Sequence, residues 1–68
     1  MPKLKQIKPK ELLKILEKNG FVSLRQKGSH LMMFNKEKNK FVTVPLHNKP
    51  LKKGTLAAIL RQSQVRLN

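Results

Sequence analysis

The sequence predicts an α+β domain in which a helix, three antiparallel strands and a second helix follow one another. Three observations predict it. Apolar residues fall at helical spacing near both ends of the chain, and between them, from Phe21 to Val44, the pattern turns strand-like and is broken by two polar turns. The length of 68 residues allows one core and no second. In this order both helices can pack on one face of a three-stranded antiparallel sheet and leave the other face open.

The first seven residues alternate basic and apolar over too short a run to define an element, and 1–7 reads as a tail. Pro9 has the backbone angle favoured at the first helical position, and Glu11 lies where a helix dipole favours a carboxylate. The helix should run to Lys18. Leu12, Leu13, Ile15 and Leu16 share one side, and Lys10, Lys14 and Lys18 form a stripe on the other. Asn19-Gly20 ends it, with Gly20 in the left-handed cap position.

Phe21 to Gln26 then reads as a strand, Lys27-Gly28-Ser29 as a turn, and His30 to Phe34 as the returning strand. Asn35 to Asn39 is a polar turn, Lys40 to Val44 the third strand, and Pro45 closes the sheet. A loop through His47 and Pro50 leads to a second helix, starting near Leu51 or Lys52 and running to about Gln64. Its core face holds Leu56, Ile59, Leu60 and Ser63, and Gly54 is its weak point. Alternation puts Leu31 and Met33 opposite His30, Met32 and Phe34, but does not say which set meets solvent. Phe21, Phe34 and Phe41 could in principle stack bases, but at strand positions among aliphatics they read as core and not as a single-strand platform, and Met32 and Met33 read as packing residues.

Sixteen Lys and Arg stand against three Glu and no Asp, a net charge of +13. Such a field suits a phosphate backbone or an acidic protein. No long apolar run or signal-peptide pattern accompanies it, so a membrane role is disfavoured and a cytoplasmic chain is expected. The chain has no cysteine, which excludes a disulfide framework, a thiolate metal site and a Cys nucleophile. With only Glu11, Glu17 and Glu37 to hold ions, two-metal nuclease chemistry is disfavoured, and neither a metal nor another cofactor is expected.

The informative stretch is Arg25-Gln26-Lys27-Gly28-Ser29-His30. Backbone N–H groups around Gly28 could cradle an anion, Arg25 and Lys27 could neutralise a phosphoryl group, and His30 follows the turn directly. Surrounding positive charge favours the neutral imidazole, the form that accepts a proton. The proton within its chemical reach in RNA is that of a ribose 2′-OH. Against this, a lone histidine at a strand start is more often a polar edge residue, and Gly-Ser-His by itself is a weak motif. His47 is a second candidate, as general acid or substrate contact, although loop histidines are usually just solvated. Lys10, Lys14 and Lys18 could track phosphates, although a lysine stripe opposite an apolar face is often only the wet side of a helix.

Two segments taken together carry a family resemblance: Gly20-Phe21 with Arg25 to His30, and Val44-Pro45-Leu46-His47 with Gly54-Thr55-Leu56 and Ile59-Leu60-Arg61-Gln62. From Leu12 to Val65 the chain resembles the HicA toxins, small mRNA interferases of toxin-antitoxin modules with a double-stranded RNA-binding-like fold. The resemblance implies that residues 1–68 form one such domain, that His30 is the catalytic residue, and that Gly28 and Ser29 shape the turn presenting it. The implied function is a metal-independent endoribonuclease acting on mRNA; the alternative is a non-catalytic basic RNA-binding or protein-interaction module. The implied partner is an acidic HicB-type antitoxin that masks His30, with DNA reached only indirectly through that antitoxin. The role of His47 does not carry over as clearly. Where many relatives have an Ala-Gly pair, this chain has Ser63-Gln64, which leaves the end of the last helix open.

Overall fold

The computed structural model describes residues 7–66 as α1 (Pro9–Lys18), β1 (Phe21–Lys27), β2 (His30–Asn35), β3 (Lys40–Pro45) and α2 (Lys53–Ser63). The strands form one antiparallel sheet in the order β1-β2-β3, and both helices contribute to one core cluster with the sheet. This is the α-β-β-β-α arrangement expected, with one sheet face left open.

Helix α1 starts and stops where local chemistry sets it. Pro9 occupies the first turn, and the Glu11 carboxylate accepts a hydrogen bond from the Lys8 N–H at 3.2 Å. At the other end Gly20 has φ +93°, a conformation costly for any residue with a Cβ. A Cβ there would lie 3.1 Å from Asn35 Nδ2. Leu12 and Leu16 are fully buried while Lys10, Lys14 and Lys18 are exposed, as the projection requires.

The core side of the sheet is formed by Phe21, Met33, Val42 and Val44, covered by Leu12 and Leu16 from α1 and Leu56 and Ile59 from α2. Asn35 is the one buried amide among these elements. Its Nδ2 donates to the Asn19 carbonyl at 2.9 Å and its Oδ1 accepts from the Lys38 N–H at 2.9 Å. A single side chain thus joins the end of α1 to the β2–β3 turn, and among the described residues no buried side-chain nitrogen or oxygen is left unsatisfied.

The tail and the start of α2 differ from expectation, and the end of α2, which the sequence left open, is defined. Residues 1–6 lie outside the described residues, but Ile7, placed with the tail, is buried, and its carbonyl accepts the Leu51 N–H at 2.8 Å. That bond and the burial of Leu51 hold this leucine in the core ahead of α2, so the helix begins at Lys53. Beyond it, Gln64 takes the left-handed cap at φ 60°, the conformation that glycine adopts without strain. Ser63, fully buried, accepts the Val65 N–H through its hydroxyl and helps hold this end.

Gln64→Gly is therefore expected to raise stability by about 0.5–1 kcal/mol, the strain of a left-handed side-chain residue less the entropy glycine adds to the unfolded chain. Asn35→Ala should cost about 1–3 kcal/mol by stranding the Asn19 carbonyl and the Lys38 N–H. Urea denaturation of the full chain measures both.

Candidate active site

Lys27 and His30 pair directly across the β1–β2 hairpin, so the connection is the two residues Gly28-Ser29 and not the three expected. Gly28 has φ +60° and Ser29 does not have positive φ, the pattern of a type II′ turn, whose twist matches the flanking strands. Gln26 Nε2 donates to the Gly28 carbonyl at 3.0 Å. The Ser29 carbonyl accepts the Leu46 N–H, which ties the turn to the chain leaving β3. His30 is thereby fixed as the first residue of the central strand, between Lys27 and Pro45.

The side chains that share a face with His30 are set by an irregularity in β1. Ser23 opposes Met33 and Arg25 opposes Met32, so Leu24 is an extra residue without a partner, a β-bulge. Strict alternation from the buried Phe21 would turn Arg25 and Lys27 toward the helices. The bulge reverses the parity, and both cations lie on the open face with His30 and Met32. Lys27 is directly opposite His30, and Arg25 is its diagonal neighbour, within the range over which long side chains interact.

His30 is exposed, and among the described residues nothing hydrogen-bonds its ring. It borders an open depression of about 800 Å³ shared with Arg25, Lys27, Met32 and Thr43, with the Gly28-Ser29 turn at the rim. No carboxylate lines this space. The site therefore offers one imidazole with both nitrogens free, two cations close to it, and a floor of one thioether and one hydroxyl. Such a set can bind a phosphodiester and move a proton next to it. Among the described residues no three His, Asp or Glu side chains cluster closely enough to hold a metal ion.

Of the residues singled out in the sequence, Arg25, Lys27, Gly28, Ser29 and His30 come together here. Lys10, Lys14 and Lys18 do not: they lie on α1, on the side of the sheet away from His30. His47 is exposed in the loop after β3, its Nδ1 3.1 Å from the Lys49 carbonyl, and does not line the depression. Met32 and Thr43, missed in the sequence reading, become visible once β2–β3 register is known, because they oppose each other.

With this geometry in view, the sequence comparison is informative. A family model described as HicA toxin of bacterial toxin-antitoxin matches residues 9–65, which includes both helices, all three strands and the His30 hairpin. The chain belongs to the HicA toxin family. It is accordingly the toxin component of a toxin-antitoxin module, with a cognate antitoxin as partner. No curated protein matches it individually. Among the described residues no helix of this HicA toxin is long and apolar enough to cross a membrane.

Because a Cβ at Gly28 would meet nothing within 4 Å, only its positive φ resists substitution. Gly28→Ala should lower stability by about 1–2 kcal/mol. A urea midpoint equal to that of the wild type would show that the hairpin does not hold this conformation.

Proposed function

We propose that this HicA toxin is a metal-independent endoribonuclease, an mRNA interferase, in which His30 is the general base. The observation that carries the proposal is an exposed imidazole, free on both nitrogens, beside Arg25 and Lys27 in an open depression with no carboxylate. A His30 ring nitrogen takes the proton of a ribose 2′-OH, and the 2′-oxygen attacks the adjacent phosphorus. The bond from phosphorus to the 5′-oxygen breaks, and that oxygen leaves as a hydroxyl after taking a proton from solvent. The products are a 2′,3′-cyclic phosphate and a 5′-hydroxyl end. Arg25 and Lys27 stabilise the charge that builds on the phosphoryl oxygens. Gly28 and Ser29 act through the turn that positions His30, and His47, just past β3, is the secondary candidate for delivering the leaving-group proton.

Outside the depression, Lys10, Lys14 and Lys18 are positioned to meet phosphates of RNA passing the helical side. The cations beside His30 on the open face suit an acidic HicB-type antitoxin that covers it, and a net charge of +13 complements such a partner. The cytoplasm is the compartment where both partners would be met.

One observation favours a second reading. His30 has no side chain or backbone group among the described residues to orient its ring. In a non-catalytic RNA-binding module such a ring would only contact a phosphate.

Analysis of the products separates the two. His30→Ala should reduce cleavage of a purified transcript by about 10²- to 10⁴-fold, the usual scale of general acid–base help, and leave RNA affinity nearly unchanged. Wild-type cleavage should persist in EDTA and leave 5′-hydroxyl ends. Equal cleavage by the variant would refute the role of His30, and a mobility shift without new ends would favour the binding module. Arg25→Ala and Lys27→Ala should each reduce the slope of log affinity against log salt by about 1 if each meets one phosphate.

A further inference from the structure

The open sheet face carries a second feature that the reaction at His30 does not use. Val22, Phe34 and Phe41 pair across all three strands to form one apolar row. Phe41 is 55% exposed and Val22 57%, whereas Phe21, the third phenylalanine, is buried. The Phe34 and Phe41 rings are 4.6 Å apart at their centroids and inclined by 36°. All three phenylalanines were expected in the core; two, the half-buried Phe34 and the exposed Phe41, lie beside one another on the face opposite the helices.

This row lies on the same strand and face as His30. His30, Met32 and Phe34 are successive open-face residues of β2, so the aromatic pair is four residues from the imidazole, about 13 Å along the strand at about 3.3 Å per residue. Cations flank the track at both ends: Arg25 and Lys27 near His30, and the exposed Lys36 and Lys38 in the turn after Phe34. Glu37, in that turn, is the nearest acidic residue in sequence, and the other two carboxylates are on α1.

We propose that Phe34 and Phe41 are a base-stacking platform and that the RNA this toxin engages is single-stranded, laid along β2 with its phosphates over Arg25 and Lys27. The proposal rests on the RNA reading above and specifies its substrate class. Aromatic faces bordered by cations are the combination that binds single strands with little sequence preference, and sheet faces in other RNA-binding modules stack bases in this way. A duplex cannot use such a platform, because its bases are already stacked and present only edges in the grooves. A second copy of the chain would bring another net charge of +13 and is opposed by repulsion.

The test uses the full chain and a short 2′-O-methyl RNA, which lacks the attacking hydroxyl, with 2-aminopurine as a stacking probe. Phe41→Ala should weaken binding of the single strand by about 5- to 150-fold and abolish quenching of the probe. Binding of the same sequence as a duplex should change by no more than about twofold, and Phe41→Trp should restore the single-strand affinity. Phe41 is half in solvent, so the variant should stay folded, as circular dichroism would show; Val22→Ala supplies a non-aromatic control. Unchanged single-strand affinity in Phe41→Ala overturns the platform even where transcript cleavage by the wild type upholds the nuclease. Loss of antitoxin affinity alone overturns it in favour of a protein interface. Phe41-dependent binding upholds it even if cleavage fails and the role of His30 falls.

Discussion

The structure depends on the register of a sheet that only two short helices cover. Side chains along a strand alternate between faces, so each residue belongs either to the packed side or to the open side, and a shift of one residue moves it across. Met33, Val42 and Val44 are packed beneath α1 and α2, which fixes His30, Met32 and Phe34 on the opposite surface. The bulge at Leu24 is the one place where the alternation is broken, and it brings Arg25 and Lys27 to the same surface as His30. A chain with two helices and one sheet cannot bury both faces. The candidate site of this HicA toxin occupies the face that packing leaves available.

Electrostatics follow from the same division. Of the three carboxylates, Glu11 caps the start of α1 and Glu17 also lies on that helix, so the open surface next to His30 is left cationic. Two cations lie beside the imidazole, and the mixed surface continues along β2 into two aromatic rings. The open face is therefore not uniformly cationic. Its cations gather at the strand ends and its middle is apolar, which suits an unpaired strand with separated bases better than a continuous phosphate ridge.

Stability in so small a core rests on a few connections between distant segments. Asn35 bridges the end of α1 to the β2–β3 turn, and Ile7 is bonded to Leu51 at the entry to α2. The hairpin presenting His30 is held from two sides, by the type II′ turn at Gly28 and by the bond from Leu46 to Ser29. The backbone that carries His30 is thus fixed by paired strands, while its ring has no hydrogen-bond partner among the described residues.

Much of this was legible in order along the chain. The limits of α1, the left-handed Gly20, the three strands and the core face of α2 follow from spacing and from residues such as Pro9 and Gly28, whose backbone preferences act locally. The hairpin from Arg25 to His30 was likewise visible as a candidate site. The bulge, the face taken by His30, the place of Met32 and Thr43 beside it, and the position of Phe34 and Phe41 on the open face were not. Each depends on which residue of another strand lies opposite and on which side the helices settle. The amino-acid order alone thus determined the elements, their sequence and the charge, because those arise from interactions a few residues apart. Only tertiary structure decided which side chains share a surface, because pairing and burial join residues that the linear pattern treats as independent.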